Sequence, residues 1–595
     1  MTGPVSGDLV TFTIKVAGAT IPDTYSVHTI RVEKRINRIS CAELTVLDGS
    51  ASKEQFEVSS SSTFVPGNEV SIEAGYNNRN KLIFKGIITA QNLRVDDQIG
   101  SALTVQCRDA AVRMTVGRNS ACYSRKKDSD VISTLIGNHA GVSADVTSTS
   151  DTWPQMVQYY CSDWDFMLCR AEINGMIVAT VNGKVSVFKP GRNSQPVLEI
   201  VYGDNLYAFN GDLDAIAQPE SVKATSWDPK QQKIIEASAP HSYAGPGNCS
   251  SSSLSKVVGP KTFRLQTSAP ASDADLQQWA KAQMLKSEYA KITGEARFQG
   301  SSLVEPGLFI TLSGLGTRFN GDHFVSGVVH EIEDGNWFTS TQLGLSPQWF
   351  SQEPDVMAPP ASGLLPGIQG LYNAKVKKVF DDPDSAYRIL VELPLLDPSG
   401  DGLWARLSNF YSTSGKGAFF LPEVGDEVIV AFTNDDPRYP VILGSVYSAD
   451  RKPFSELSPN EKNSHKAIVT NSELRIVFND EDKILTVTTP GKNIITLDDK
   501  NKQISIKDQN GNSIEMSGSG IDIKSPKNIN ITASQNVNIK GSTGVKVESS
   551  GGDVLSSGLN IKNSASINYE SSGGAAATVK GGATLTLKGA MVMIN

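Results

Sequence analysis

After Phe478 the chain holds one aromatic residue, Tyr569, and no tryptophan lies beyond Trp404. Aromatic and bulky aliphatic side chains supply most of the buried area of an ordinary core, so the last quarter is not built around one. Long apolar runs are missing as well. No window approaches the ~18 uninterrupted apolar residues of a membrane-spanning helix. The start, "MTGPVSGDLVTFTIKV", has no basic stretch leading into an apolar one. No signal peptide is therefore expected, and the protein is expected to be made and folded in the cytoplasm. Cysteine is scarce: six residues (Cys41, Cys107, Cys122, Cys161, Cys169, Cys249) occur without a CxxC pair, which predicts free, mostly buried thiols. The six histidines are dispersed too; His323 and His330, in "GDHFVSGVVHEIED", come closest but lack a third ligand, so no metal site is expected. There is no excess of positive charge: 55 Lys and Arg against 63 Asp and Glu give a net charge of −8, which disfavours nucleic acid as a partner. No GxSxG, HExxH, P-loop or dinucleotide fingerprint is present, and neither a catalytic residue nor a cofactor is expected.

What is present divides into three parts. At 595 residues the chain is too long for one core. The Pro- and Gly-rich stretch "PDVMAPPASGLLPGIQG" reads as a linker at 356–370. It separates a first region, 1–355, from a compact β-rich region, 371–450; a connector, 451–465, leads to the last region, 466–595. The fold expected is mainly β, with some α in the first region.

In that region "YSVHTIRVEKRI" alternates as a half-buried strand, and "PGNEVSIEAGY" and "LIFKGIITAQNL" read as further strands. Helices are predicted over 162–175, capped by Ser162 or Asp163 and ended by Asn174–Gly175, and over 273–292. Asp163, Asp165 and Glu172 could pass for catalytic carboxylates, but acids at the amino end of a capped amphipathic helix are the plainer account. In 371–450, short strands separated by "DDPD", "EVGD" and "NDDPRYP" predict a small closed barrel. Asp381, Asp382, Asp384, Asp435 and Asp436 ring its turns, and no basic–aromatic face is evident, which again disfavours nucleic acid.

The last region is a repeat. The pairs Ile521/Ile523, Ile529/Ile531, Val537/Ile539 and Val545/Val547 stand eight residues apart. After a slip, Leu559/Ile561 and Ile567/Tyr569 resume the spacing, and Leu585/Leu587 lie eight before Met593. Each unit is a short strand with two inward side chains, followed by a corner of Gly, Ser, Asn, Thr and Lys. One unit cannot bury its apolar face alone, whereas stacked units share a narrow core. Such a rod has no room for aromatic rings, which accounts for their absence.

In this order the three parts resemble the VgrG-type spikes of contractile injection systems, related to the fused hub and cell-puncturing proteins of contractile-tailed phages. "QYYCSDWDFMLCRAEINGM" and "VKATSWDP" are similar to the family's hub, and "FLPEVGDEVIVAFTNDDPRYPVILGSVY" to its OB-fold-like barrel. The octads are similar to its triple-stranded β-helical needle. "VEKRINRISCAELTVLDGS" and "FVPGNEVSIEAGY" look more like spikes of phage-tail-like extracellular particles than of type VI secretion. The resemblance implies a homotrimer whose hub sits on inner tube and baseplate proteins, whose barrel forms a collar, and whose needle punctures a target membrane. It implies assembly into a particle acting outside the cell, and a blunt tip, Gly589, Ala590, Met591, Val592, Met593, Ile594 and Asn595, that seats a PAAR-repeat protein. Met591 and Met593 could equally be the last inward rungs. The other readings are a receptor- or glycan-binding tail fibre, which would need exposed aromatics on the rod, and a glycan-cleaving β-helix. The latter needs paired carboxylates, whereas Asp508, Glu515, Asp522, Glu548, Asp553 and Glu570 are spread singly.

Overall fold

The computed structural model describes residues 9–96, 100–228, 231–258, 261–395, 400–454 and 460–594. The chain is mainly β, with its described helices all before Val446. It divides into two compact units between Val446 and Tyr447.

In the first unit, segments far apart in sequence meet in one sheet. Strand Val27–Arg35 is hydrogen-bonded to Cys41–Leu47 on one side and to Gly321–Glu333 on the other. Ile30 stands opposite both Leu44 and Ile332, so three aliphatic side chains line up across three strands. The alternation is as the sequence predicts: Ile30, Val32 and Lys34 are buried between more exposed neighbours. Lys34 reaches the Glu305 carboxylate at 2.5 Å, which offsets the cost of burying its charge. Val32, Leu44, Val46, Val70, Ile72 and Val105 complete this core. Gly300 is a glycine because it lies on the Trp337 ring, where a Cβ would come within 2.1 Å.

The intervening chain builds a second core around helices Asp128–Gly137 and Asp163–Ile173. In the latter helix the Ser162 hydroxyl accepts the Asp165 N–H at 3.0 Å, and Gly175 follows the Asn174 cap at φ 64, the left-handed turn that glycine adopts without strain. Trp164, Met167, Leu168 and Ala171 form its buried stripe. Helix Asp273–Tyr289 starts at a capping box made by Ser272 and Asp275.

The cysteines depart from expectation. All six are free, but only Cys107 is buried; Cys122 is exposed and the other four are half-buried. Cys122 sits on strand Asn119–Lys127, which pairs with Thr152–Cys161 in a two-stranded ribbon too thin to cover its own side chains.

The barrel closes as expected from five strands, Tyr372–Lys378, Ile389–Glu392, Leu403–Leu407, Glu427–Phe432 and Pro440–Ser445. Val376, Val391, Ala405, Val428, Val430 and Ile442 are among the buried residues of its core. Its acidic turns are held by their own arginines. Arg388 donates to Asp382 from Nη2 at 2.6 Å and from Nε at 3.0 Å, and with the turn's N–H groups keeps that carboxyl well below the usual range. Arg438 does the same for Asp436.

The second unit begins as an antiparallel meander of seven strands starting at His465, Arg475, Ile484, Ile494, Gln503, Ser513 and Gly520. Its hairpin turns place Glu473, Lys483, Lys492 and Lys502 at positive φ. From 525 to 594 the chain is extended and bends at intervals of eight residues.

Candidate functional site

The feature that distinguishes this molecule is the face of the meander. Its register aligns Phe478, Leu485, Leu497, Ile504, Met516 and Ile521 in one ladder across successive strands. A second ladder, two residues away on the same face, runs Ile468, Ile476, Val487, Ile495, Ile506, Ile514, Ile523. The opposite face carries Thr486, Thr496, Ser505, Glu515 and Asp522 in register. The antiparallel meander thus gathers most of its large apolar side chains on one face, with Val477, Ile484 and Ile494 on the other, yet the first face stays open: Phe478, Leu497 and Ile506 each remain more than 40% exposed. A contiguous apolar surface of this kind marks an interaction site.

Ile521 and Ile523, the first octad pair, are the last rungs of these ladders. Beyond them the structure keeps a stricter octad than the sequence reading did. Bends fall at Pro526, Ser534, Ser542, Ser550, Gly558, Ser566, Gly574, Gly582 and Ala590, eight apart and without a slip. Leu559 and Ile567 therefore follow corner residues and are 99% and 100% exposed, while Ile529, Val537, Val545, Ile561 and Leu585 range from 52% to 56%. Leu559 and Ile567 occupy bends, so the period runs through this stretch without the expected slip. The remaining octad residues, Ile531, Ile539, Val547 and Leu587, are exposed in the single chain. So are Gly589, Ala590, Met591, Val592, Met593 and Ile594, whereas Asn595 lies outside the described residues.

The barrel holds a feature the sequence did not announce. Phe410, Tyr411, Phe419 and Phe420 flank a short hairpin in which Ser412 pairs with Gly417, and all four are exposed. Four exposed aromatic rings therefore stand beside the hairpin that joins two barrel strands. Aromatics followed by "STSGKG", a turn-forming stretch, are the signal that could have revealed it.

The candidate carboxylates have structural partners. Burial alone would raise Asp163, but bonds from Asn119 at 2.8 Å, Gln158 at 2.9 Å and His139 at 2.9 Å outweigh it and hold the carboxyl below its usual range. Asp165 accepts from the Ser162 hydroxyl at 2.6 Å and is raised by burial. Glu172 pairs with Lys286 and accepts the Phe350 N–H at 2.7 Å. His323 contacts the Phe319 carbonyl at 2.6 Å, and His330 lies 3.0 Å from the Thr339 hydroxyl. Among the described residues no group of three or more His, Cys, Asp or Glu is placed to hold a metal ion. Nor is any helix long and apolar enough to cross a membrane.

Comparison with known proteins places two segments. Residues 6–334 match the family described as the Alg8 N-terminal domain, and residues 372–447, the closed barrel, match the type VI secretion system/phage-baseplate injector OB domain. The type VI secretion system spike protein VgrG1a of Pseudomonas aeruginosa is 38% identical over 61 residues, 10% of each chain. VgrG1b of the same organism is 38% identical over 61 residues, 8% of its length. The matched stretch thus spans about a tenth of these curated relatives. Among solved structures, a tail protein from Neisseria meningitidis MC58 aligns with a TM-score of 0.43 at 13% identity, covering 58% of this chain and 99% of that one. The E. coli c3393 protein, a component of the type VI secretion system, aligns with a TM-score of 0.38 at 14% identity, covering 73% and 99%. The barrel segment is thus similar to injector OB domains, and a 61-residue stretch to type VI secretion spike proteins.

Proposed function

Since the chain belongs to the Alg8 N-terminal domain family and carries an injector OB domain, we propose that it is the trimeric, non-enzymatic central spike of a contractile injection apparatus. Residues 1–355 serve as the hub that joins inner tube and baseplate, 371–450 as the collar, and 466–595 as the needle. The observation that carries this reading is the open pair of apolar ladders, continued as octads. One chain cannot cover that face. Three copies related by a threefold axis would cover one another, with apolar rungs inside and Thr, Ser, Glu and Asp outside. Burying half-exposed aliphatic rungs at about 25 cal/mol per Å² favours such an assembly strongly over so many layers.

The same geometry explains what a needle must do. Within the meander each strand is hydrogen-bonded to its neighbours, and three octad chains winding together would continue that ladder beyond Lys524, so that axial load is borne by paired strands rather than by loops. The small corner residues keep the shaft slender. At its end Met591, Val592, Met593 and Ile594 form an apolar tip suited to seating a PAAR-repeat protein, and the assembled needle punctures a target membrane. Asp163, Asp165 and Glu172 are committed to caps and ion pairs, which supports a role without catalysis.

Electron micrographs of the purified protein test this directly. With layers ~4.8 Å apart, one per strand, 466–595 should project as a rod on the order of 80 Å long. Particles without a rod would contradict the proposal.

A further inference from the structure

One cleft in the first unit has no part in the spike reading. It lies where helix Asp163–Ile173 meets helix Asp273–Tyr289, encloses about 200 Å³, and is walled by Trp153, Trp279, Ile173 and Leu276. Asp128 in its wall is fully engaged. It accepts Arg170 Nε at 2.6 Å, Arg170 Nη2 at 3.0 Å, Asn174 Nδ2 at 2.8 Å and Trp153 Nε1 at 3.1 Å. Asp128 and Arg170 neutralise each other, so the charge of the cleft is set by its two other acids, Asp151 and Asp275. Asp275 uses one carboxylate oxygen to accept the Ser272 N–H at 2.9 Å.

We propose that this cleft binds a single guanidinium or ammonium group carried on an apolar stem, its head held by Asp151 and Asp275 and its stem laid on Trp279. Three observations converge. The lining acids outnumber the one lining cation, and that cation is already paired. An indole face attracts cations, and more strongly where water is partly excluded. The chain itself shows this preference here, since the Arg170 guanidinium lies 4.8 Å from the centre of the Trp153 ring. Size completes the argument: the cleft is smaller than the roughly 300–1,000 Å³ of sites for drug-sized ligands and suits one long side chain. Failure of this proposal would leave the spike reading untouched, because no needle or barrel residue takes part.

The test is titration of the purified full chain with N-acetyl-arginine amide, followed by tryptophan fluorescence and calorimetry. N-acetyl-citrulline amide, of the same shape without charge, is the control. Saturable binding at roughly millimolar concentration is expected for the arginine compound, at least tenfold weaker for citrulline, tenfold weaker in Asp151→Asn, and lost in Trp279→Leu. Asp151→Asn decides the matter if Trp279→Leu does not fold. Equal binding of both compounds, unchanged affinity in Asp151→Asn, or no saturation by about 50 mM would each overturn the proposal. Where the site holds, a blocked Gly-Arg-Gly peptide that binds as well assigns it to a side chain of another protein. Binding of agmatine without the peptide assigns it to a free guanidino compound.

Discussion

The barrel and the terminal repeat use the same alternation of apolar and polar residues and reach opposite outcomes. In the barrel, five strands curl until the first meets the last, and Val391, Val428 and Val430 lose all contact with water. In the repeat the strands add in a line, each pairing only with its neighbours, and Ile495, Leu497, Ile504 and Ile506 stay partly in water. Closure within one chain makes a domain that is stable alone. Addition without closure leaves an apolar surface open in the single chain.

The sharpest way to break this comparison is to place a charge on each kind of face. Val391→Asp buries an unpaired carboxylate inside the closed barrel and should destabilise the first unit by more than about 4 kcal/mol, seen as a lost or early transition on heating. Val537→Asp should leave that transition in place while the protein elutes as a single chain. Equal melting of both variants would mean that the two faces do not differ as described.

Acid gives a second contrast. Burial, with the Lys34 charge adding to it, pushes His330 down to about 3. Its folded pKa is depressed, so the stability that neutral His330 lends is fully present above pH 6.5. It is lost as pH falls toward 3, because the unfolded chain takes up the proton first. At pH 5 the loss should be about 2 kcal/mol, read as a lower urea midpoint of the first unit than at pH 7. In the second unit the described histidine is His465, which is partly exposed rather than buried as His330 is.

Smaller effects sharpen the picture. Ser162→Ala removes a helix cap of the first unit and should cost about 1 kcal/mol. Leu559→Ser should change neither melting nor assembly by more than about 0.5 kcal/mol, since that side chain sits at a corner. A Leu559→Ser variant that fails to assemble would return Leu559 to the interior and restore the slip.

Much of this was legible in the sequence where local chemistry decides. Ser162 and Gly175 announce helix ends because they satisfy backbone groups within a turn of themselves. The barrel was legible because "DDPD" and "NDDPRYP" are turns whose arginines follow at once. The octad was legible as a period and, except at Leu559 and Ile567, in phase; those two depart because aliphatic residues can occupy corners. The run of Pro, Ser, Gly and Ala from Pro526 to Ala590 marks the phase better. Pairing of Val27–Arg35 with Gly321–Glu333 was not legible, since nothing near either strand specifies so distant a partner. Nor was the exposure of Phe410 and Phe419, which composition alone assigns to a core.

The measurement closest to the central claim is the mass of the purified chain in solution, by light scattering after gel filtration. One chain weighs 63.8 kDa, and the account predicts three times that, 191.4 kDa, for the intact protein and 63.8 kDa for Val537→Asp. An intact protein of 63.8 kDa would contradict it, because the ladders would then have to be covered from within a single chain.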